Sequence, residues 1–493
     1  MVDTVVMGGG PAGLTAAYEL AKHGNQSVVL EQADKVGGIS RTETYKGYRF
    51  DIGGHRFFTK VGEVQAIWKE ILGDEFIQVP RLSRIYYRGK FFDYPLSVAS
   101  TLKNLGVVDS TLSVLSYLKS KVNGKLNPGP EAENLEDWVV ERFGNRLYRT
   151  FFKSYTEKVW GIPCNKIQAE WAAQRIKGLS LKKAVINAMF GSNDTKTLIK
   201  EFDYPIYGPG MMWERCQQIL DEQESPVHLH TKVTKVEHDG KRVQRVIATR
   251  KTSEGEETIE LSGDNYVSSI PITALARCMD PAPPKAVIEA AKGLKYRDFL
   301  IVPLVIDIKD IFPDNWIYIH SPEFRVGRIQ NFKNWSMAMV PDTSKTCVGM
   351  EYFCSEGDDI WEMSEEDLIA LASKEIVGLG LVPDLSFVKD GTVIRQKKAY
   401  PVYDGAYRMH LDVIQKYLQQ FDNLQTVGRN GMHRYNNQDH SMLTGLLAAK
   451  NILGEEHDLW NVNVERSYHE DFTPEQWEKA KAELKKPVEA YAS

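Results

Sequence analysis

The stretch VDTVVMGGGPAGLTAAYELAKHGNQSVVLE, residues 2–31, decides the fold class of this chain. Residues 2–7 form an apolar run that predicts a buried strand, and a glycine-rich turn leads from it into a helical run over residues 14–23. A second apolar strand over residues 27–30 ends at Glu31. Strand, glycine turn, helix and strand in this order are typical of a Rossmann-like unit that binds a dinucleotide. We therefore predict an α/β protein built on such a domain.

The glycines of the turn have distinct roles in dinucleotide binding. Gly8 makes the tight turn, Gly10 lets the backbone approach a pyrophosphate, and Gly13 allows close packing of helix on strand. The N-terminus of the helix offers unpaired N–H groups and a partial positive charge to the pyrophosphate. Glu31 can accept hydrogen bonds from a ribose 2′-hydroxyl and disfavours a 2′-phosphate, so FAD or NAD fits better than NADP.

A second glycine pair soon after this acid favours FAD over NAD. Gly37 and Gly38 are followed by Ser40 and Arg41. We expect this loop to run beside the same pyrophosphate, where Arg41 would supply positive charge. The predicted cofactor is therefore FAD.

Two more glycines and a histidine follow a short predicted strand. Gly53 and Gly54 would allow the backbone to contact a flat ring, and His55 is the candidate for a residue that lies on the flavin. The alternative for His55 is a buried histidine whose ring bonds to a backbone carbonyl.

Composition and charge exclude several other classes of protein. The chain has 493 residues and a net charge of −5, which argues against general binding of nucleic acid. It contains no apolar run of about 18 residues that would span a bilayer, and no signal peptide is visible. Its five cysteines are scattered, so a cytoplasmic location is expected. His228 and His230 have no nearby cysteine or acid in the sequence, so no metal site is predicted.

Three later stretches carry a resemblance to a known family. The N-terminal motifs resemble the flavoprotein fold shared by amine oxidases, protoporphyrinogen oxidases and UDP-galactopyranose mutases, and the later stretches resemble the mutases in particular. The matches extend over about residues 1–455. The stretches are NLEDW at residues 134–138 leading to YTEKVWG at 155–161, WIY at 316–318 followed by GRI at 327–329, and GR at 428–429 followed by RYNNQDHS at 434–441.

The resemblance implies a mutase that interconverts the pyranose and furanose forms of a nucleotide sugar. Reduced FAD would attack the anomeric carbon through its N5 and displace the nucleotide diphosphate, which later returns, so no net electrons are transferred. Such an isomerase would serve cell-surface polysaccharide biosynthesis. Its partners would be the nucleotide sugar and an external reductant, either NAD(P)H or a flavin reductase, and a homo-oligomer remains open.

The resemblance also implies roles for residues at the motif positions. Arg328 and Arg429 would bind the diphosphate, because guanidinium groups are permanently charged and bidentate toward phosphate, and with His55 they are the expected catalytic residues. Ser97 and Thr156 stand where the eukaryotic-type pattern has amides that read uracil, which leaves both base and sugar open. The expected substrate-binding residues are Tyr94, Phe151, Tyr155, Trp160, Tyr318, Arg328, Tyr400, Arg429, Tyr435 and Asn437. The expected cofactor-binding residues are Gly8, Gly10, Pro11, Ala12, Gly13, Glu31, Gly38, Ser40, Arg41, Gly53, Gly54, His55, Val233, Gly428, Gln438, Asp439 and Ser441.

Alternatives remain for these residues and for the function. Each tyrosine could be a core residue with a satisfied hydroxyl, and each arginine could form a surface ion pair. The protein could instead be an FAD-dependent oxidoreductase of the amine oxidase or protoporphyrinogen oxidase type that oxidises its substrate. A flavin-binding scaffold without catalysis is the third alternative.

The expected architecture is a discontinuous Rossmann-like FAD-binding domain of the two-dinucleotide-fold type, with a helical substrate insert and a mixed β-sheet subdomain. The pieces of the FAD-binding domain are residues 1–90, 205–272 and 396–455. Residues 91–204 are the helical insert, with Leu and Val at helical spacing, and residues 273–395 are the sheet-containing subdomain. Residues 456–493 are expected to form a charged helical tail.

Overall fold

A computed structural model describes residues 2–94, 96, 101, 104–126, 132–169 and 201–463 of the chain. Ser97 and the helix expected in the C-terminal tail lie outside these residues. The strands are β1 (Val2–Met7), β2 (Ser27–Leu30), β3 (Thr42–Tyr45), β4 (Tyr48–Asp51), β5 (Phe76–Pro80), β6 (Ser83–Tyr87), β7 (Lys90–Asp93), β8 (Glu201–Pro205), β9 (Val227–His228), β10 (Thr231–His238), β11 (Val243–Thr252), β12 (Gly255–Leu261), β13 (Gly263–Ser268), β14 (Met279–Asp280), β15 (Tyr296–Ile306), β16 (Trp316–Ile319), β17 (Arg328–Asn331), β18 (Thr346–Cys354), β19 (Val388–Gly391), β20 (Ile394–Pro401) and β21 (Leu424–Thr426). The helices are α1 (Pro11–Lys22), α2 (Gly62–Leu72), α3 (Val107–Leu126), α4 (Leu135–Phe143), α5 (Asn145–Leu147), α6 (Ser154–Trp160), α7 (Gly210–Glu222), α8 (Ile272–Cys278), α9 (Lys285–Gly293), α10 (Phe332–Trp335), α11 (Asp359–Glu362), α12 (Glu365–Gly378), α13 (Tyr407–Leu418) and α14 (Gln438–Ile452).

A five-stranded parallel sheet forms the predicted Rossmann-like unit. Its strand order is β21-β13-β1-β2-β9, so strands from three separate parts of the chain meet around β1. The sheet residues of β1 and β2 are largely buried, as expected for a parallel sheet covered on both faces. The predicted α/β class is confirmed.

Residues 227–237, whose alternating apolar pattern suggests a single strand, form two strands that belong to different sheets. β9 pairs with β2 in the parallel sheet, whereas β10 belongs to a four-stranded sheet of order β12-β11-β10-β14. His230 between them has a φ of +52°, which turns the chain out of the extended conformation. The alternating apolar pattern continues through this turn, so the sequence alone did not reveal the break.

A larger sheet lies beyond these two and carries most of the remaining strands. Its order is β19-β15-β18-β17-β16-β6-β7, and β20 also pairs with β15. All nine residues of β18 are buried. Two of its strands, β6 and β20, come largely from parts of the chain that the sequence assigned to FAD binding. The division of the chain into domains stays a prediction.

The helical insert contains α3 to α6, with one π-helical turn at Tyr148–Lys153. The Leu and Val residues along α3 have the helical spacing noted in the sequence. They face outward, since the opposite side of the helix carries small serine side chains and packs on α4 and α5. No helix within the described ranges is both long enough and apolar enough to cross a lipid bilayer.

Helices α1 and α14 pack against each other more closely than ordinary helices can. A Cβ atom placed on Gly445 of α14 would lie 2.1 Å from the backbone oxygen of Ala12 in α1. Only a glycine allows this approach. The contact places the first turn of α1 against the middle of α14.

Gly445→Ala is therefore expected to destabilise the protein by about 1–3 kcal/mol, the range typical of overpacked sites. The added methyl must push α1 and α14 apart, so thermal unfolding should begin at a lower temperature. Gly405→Ala is the matched control, because its Cβ would meet only the Gln168 side chain at 3.6 Å. Equal melting temperatures for the two variants would contradict the close contact.

Candidate functional site

The glycine turn after β1 forms a shallow concave surface at the N-terminus of α1. Gly8 has a φ of +105°, and a Cβ on Gly13 would lie 2.0 Å from the Gly8 oxygen, so both positions require glycine. A Cβ on Gly10 would meet only the Cα of Gly38, at 3.9 Å. The Gly10 and Gly38 backbones thus face each other, and α1 has no side-chain cap on its first turn. Open N–H groups at such a helix end suit a pyrophosphate.

Glu31 lies at the end of β2, next to this turn, as predicted. Its two carboxylate oxygens each accept a backbone hydrogen bond, from Gly9 N at 2.8 Å and from Ala33 N at 2.8 Å. The first residue of β10 is attached to the end of β2, because Thr231 N donates a hydrogen bond to the backbone oxygen of Glu31 at 2.7 Å. Val233, expected near an adenine, lies two residues further along β10 and is buried.

The loop with Ser40 and Arg41 runs beside the glycine turn. Ser40 is buried, and Gly37 N donates to Gly9 O at 2.8 Å. The Arg41 guanidinium bonds to Glu43 at 2.6 Å, to Gly38 O at 2.8 Å and to the Gln396 side chain at 2.7 Å. Its charge is therefore shared with Glu43 and is not wholly available to a ligand.

A buried carboxyl group, not singled out from the sequence, connects β3, β4 and β8 near this region. Asp51 accepts hydrogen bonds from Thr42 Oγ1 at 3.0 Å and from the Tyr204 hydroxyl, and Gly210 N donates to the same Thr42 oxygen at 3.0 Å. Burial raises the pKa of Asp51 to about 7. The sequence places Asp51 two residues before Gly53, so this network positions the histidine loop relative to the glycine turn.

The second helix end of the site is contributed by α14. Gly428 packs against Ala12, with a hypothetical Cβ 3.0 Å from that of Ala12, and its N–H donates to Thr444 Oγ1 at 2.9 Å. Gln438 begins α14 and is buried, yet neither polar atom of its side-chain amide finds a partner among the described residues. A buried amide in this state suits a polar ligand, because unmet hydrogen bonds are costly. Asp439 and Ser441 of the same turn are also buried.

His55 lies where the glycine pair turns toward the large sheet. Its Nδ1 is 3.1 Å from Gly53 O, which fits a neutral ring that donates from Nδ1 and leaves Nε2 as an acceptor. Burial, together with the charges of Arg429 and Arg328, lowers the pKa of His55 to about 3. Both predicted arginines therefore lie close enough to act on the same histidine.

Arg328 is the first residue of β17 and is paired with Glu351 on β18. The two residues are direct cross-strand partners, and Arg328 Nε donates to Glu351 Oε2. Gln330 Nε2 donates to the other Glu351 oxygen at 3.0 Å. Burial disfavours the charged guanidinium, but Glu351 holds the pKa of Arg328 well above its ordinary value. Arg328 is thus a fixed cation, 3.5 Å from the position that a Cβ on Gly53 would occupy.

Arg429 is placed differently, because no carboxylate among the described residues comes within 4.0 Å of its guanidinium. Its Nε donates to Asn436 O at 2.9 Å and its Nη1 to Ala399 O at 3.1 Å. The guanidinium carbon lies 4.7 Å from the ring centre of Tyr435 and 5.6 Å from that of Tyr400. These rings are stacked, with centres 5.7 Å apart. Arg429 is therefore a positioned cation whose charge is not balanced locally.

The stacked rings of Tyr400 and Tyr435 form one aromatic group, and a second aromatic group lies on the side of the arginines where α6 is. Tyr155 stacks on His320 at 4.5 Å and meets Tyr318 edge-on at 5.6 Å, and Tyr94 lies 4.8 Å from Tyr318. Trp160 of α6 belongs with the other pair of rings, since its ring lies 6.3 Å from Tyr400 and 6.2 Å from Tyr435. The structure thus brings together eight of the predicted substrate-binding residues, from the end of β7, α6, β16, β17, β20 and the loop after Gly428.

The other predicted substrate-binding residues have different surroundings. Phe151 is buried among Phe92 and Tyr87 and packs behind the Tyr94 and Tyr318 pair. Asn437 precedes α14, and its backbone N–H donates to His440 Nδ1 at 3.3 Å. Thr156 is buried in α6. Their roles stay predictions.

Lys158 of α6 was missed by the sequence analysis and connects the two sides of the site. Its buried ammonium donates to Ile319 O at 3.0 Å, Ser321 O at 3.2 Å and Val326 O at 3.0 Å. These carbonyls belong to the turn between β16 and β17, next to Tyr318 and Arg328. A single side chain thereby fixes the distance between the aromatic helix α6 and the strand that carries Arg328. The YTEK motif contains Lys158, but the contact could not be read from the sequence because its partners are backbone atoms.

Comparisons with known proteins agree with this site. Residues 11–453 match the family of flavin containing amine oxidoreductases. The L-amino-acid oxidase of Bothrops moojeni is 27% identical over 307 residues, 59% of this chain and 57% of that relative, so the match spans little more than half of the relative's length. A solved structure of reduced UDP-galactopyranose mutase has a TM-score of 0.81 at 20% identity, covering 94% of this chain and 96% of that chain. Putrescine oxidase bound to putrescine has a TM-score of 0.61 at 15% identity, covering 92% and 99%. At these identities the likeness to solved structures concerns the fold.

The chain belongs to the family of flavin containing amine oxidoreductases, and FAD is its cofactor. The glycine cradle at Gly10 and Gly38 and the partnerless amide of Gln438 fit this group. Among the described residues, no three His, Cys, Asp or Glu side chains are grouped so that they could hold a metal ion.

Lys158→Met is expected to loosen the turn between β16 and β17, because three backbone carbonyls lose their donor. Backbone amides of residues 318–328 should exchange hydrogen at least tenfold faster, as measured by mass spectrometry. Lys333→Met is the matched control, since Lys333 is also a buried lysine bonded to backbone carbonyls, those of Lys309 and Thr343, away from this turn. Equal exchange of residues 318–328 in both variants would contradict the role of Lys158.

Acidification is expected to destabilise the protein through its buried histidines. Burial and the nearby Lys158 lower the pKa of His320 to about 3, and burial lowers the pKa of His433 to about 4. Below about pH 6.5 the unfolded chain therefore binds protons that the folded chain does not, and stability falls with pH until the folded groups titrate. Between pH 7 and pH 5 each histidine should cost on the order of 2 kcal/mol.

Urea unfolding at both pH values measures this loss, and His320→Phe is the informative variant because it preserves the stacking on Tyr155. The variant should lose about 2 kcal/mol less on acidification than the parent protein. An identical loss in both proteins would show that His320 is not held neutral by the fold.

Proposed function

We propose that this member of the flavin containing amine oxidoreductase family is an FAD-dependent mutase that interconverts the pyranose and furanose forms of a nucleotide sugar. The observation that carries the proposal is the positioned Arg429 guanidinium, which has no ion-pair partner among the described residues. It lies close enough to Arg328 for both to act on His55. Reduced FAD, when bound, supplies the nucleophile that such a reaction needs.

The charge balance of the site favours an anionic group as ligand. Glu351 compensates Arg328, so the two arginines and this carboxylate leave one net positive charge where the side chains meet. A diphosphate suits this arrangement, because guanidinium groups bind phosphate oxygens in pairs and hold them as charge builds up on departure. The neutral His55 adds no charge of its own.

The tyrosines supply hydroxyl donors around the same position. Burial, opposed by the two arginines, raises the pKa of Tyr400 to about 12, so its hydroxyl stays protonated and can donate to a phosphate oxygen. Tyr435 lies against Tyr400 and Arg429, and Tyr318 lies on the other side with Tyr155. The second aromatic group offers flat apolar surfaces on which a nucleobase could stack.

The role proposed for the protein is to bind, orient and shield. Arg328 and Arg429 keep the diphosphate next to the sugar while it is detached, so that it can return to the same carbon. Trp160 and Tyr155 keep water from the region between them, because both rings are largely buried. Water at this place would hydrolyse an activated sugar.

A second candidate function rests on the likeness to L-amino-acid oxidases. A net oxidation of an amino acid could use Arg429 to bind the substrate carboxylate, since that group is also an anion. The two candidates differ in electron balance. An oxidase substrate reduces the flavin without added reductant, whereas a mutase substrate reacts only with flavin that is already reduced and leaves it reduced.

The test incubates dithionite-reduced holoenzyme with UDP-galactopyranose or UDP-galactofuranose and separates the sugars by chromatography. Interconversion without change in flavin oxidation state is expected. Bleaching of oxidised flavin by L-amino acids, without interconversion of any nucleotide sugar, would overturn the proposal in favour of an oxidase.

Arg429→Met is expected to lower kcat/KM by at least about a hundredfold, as for other well-placed donors that stabilise a developing charge. The same variant should bind UDP at least tenfold more weakly, as followed by flavin absorbance, and should keep its FAD. Arg429 is the sharper choice, because removal of Arg328 would leave Glu351 buried and unpaired. Arg245→Met, at an exposed arginine paired with Glu237 and Glu260, serves as the control and should behave as the parent protein.

A further inference from the structure

The outward face of α3 is the largest departure from ordinary burial in the described part of the chain. Of the fourteen large apolar side chains that are exposed there, eight lie on this one helix. Their exposed fractions reach 84% at Val107 and 73% at Val108 and Leu126. Single exposed Val or Leu residues are normal, but such a cluster marks a surface that another molecule covers. The eight residues, called the α3 face below, are Val107, Val108, Leu112, Val114, Leu115, Leu118, Val122 and Leu126.

Contacts on the side of α3 opposite the α3 face fix the orientation of the helix. The eight apolar side chains are therefore held on the outside. Ser113 is buried, and Ser116 Oγ accepts a hydrogen bond from Arg146 N at 3.1 Å. A Cβ on Gly144 would lie 2.7 Å from Tyr117 N, so the α3 backbone is held close to the turn after α4. The ion pair of Asp109 with Arg146 adds a further attachment. Small and polar residues thus face the protein, and the apolar ones face away from it.

The spacing of the α3 face identifies the kind of partner. Val108, Leu115 and Val122 are seven residues apart, and Leu112 and Leu126 stand at the same spacing on either side of Lys119. A seven-residue apolar repeat keeps one stripe against another helix, as in coiled coils and helical bundles. A lipid surface imposes no such repeat, and it usually selects aromatic residues that the α3 face lacks.

We propose that the α3 face pairs with the α3 face of a second copy of this chain across a two-fold axis. Such an interface is self-complementary, and two-fold dimers are the commonest oligomers. Eight exposed Val and Leu side chains over a helix about 30 Å long amount to several hundred Å², which approaches the roughly 800 Å² per partner of a standard interface. The pairing is independent of the reaction proposed above.

The charges along α3 assign the helices an antiparallel orientation. Lys119 and Lys121 lie in the C-terminal half of α3. Parallel helices would place the lysines of both copies side by side. Antiparallel helices move the lysines of the two copies away from each other.

The experiment measures the mass of the FAD-loaded full chain by sedimentation equilibrium between about 0.1 and 50 μM. The parent protein is expected at twice 56.0 kDa. Leu115→Asp with Val122→Asp should raise the dimer dissociation constant more than a hundredfold, because both carboxylates would be buried without partners. The variant should keep its FAD and the circular dichroism spectrum of the parent, since both positions are exposed in one copy. Leu385→Asp with Met409→Asp, at exposed apolar residues outside the α3 face, is the control and should remain dimeric.

Three outcomes would overturn the proposal. One is a monomeric parent protein throughout the concentration range. Another is an oligomer that the α3 substitutions leave intact. A third is a monomer that floats with phosphatidylcholine and phosphatidylglycerol vesicles unless the α3 face is substituted, which would make the partner a membrane. Orientation is tested by Val108→Cys, which should not form a disulfide between copies, because antiparallel helices hold the two residues on the order of 20 Å apart.

Discussion

The buried ion pair between Arg328 and Glu351 is the interaction on which the rest of the site depends. A guanidinium removed from water is stable only beside a fixed opposite charge. The register of β17 on β18 supplies that charge, since Arg328 and Glu351 are direct cross-strand neighbours. A slip of one residue would turn Arg328 to the other face of the sheet. The pairing of β17 with β18 thus places the charge of Arg328 next to His55, which lies more than 200 residues earlier in the chain.

The site is assembled from two parts with different physical origins. The cofactor side is made of backbone: glycine turns, two helix ends and the close approach of Gly445 to Ala12. The substrate side is made of side chains from the large sheet and from α6. The histidine loop joins the two parts. Relatives that share the backbone part can therefore differ in the side chains opposite, which agrees with oxidases and a mutase having similar folds.

The cofactor side was largely predictable from the sequence because its signals are local. The glycine turn, Glu31 and the second glycine pair lie within about forty residues, and the local backbone geometry of a dinucleotide site accounts for each of them. Arg328 and Arg429 were found only through resemblance, and Glu351 and Lys158 were missed, because their partners are defined by strand register and by backbone carbonyls. The direction of α3 was also missed. Periodicity locates an apolar face but does not tell whether that face meets the same chain or another one.

The amide of Gln438 has a consequence for the life of the protein in the cell. Its oxygen and nitrogen are both buried without a protein partner among the described residues, and each such group costs about 1–3 kcal/mol. A ligand that bonds to them relieves that cost only in the folded chain, so flavin supply and folding are thermodynamically linked. Newly made chains in a riboflavin-starved cell would spend more time open to proteases. The abundance of this protein should then follow vitamin availability as well as transcription.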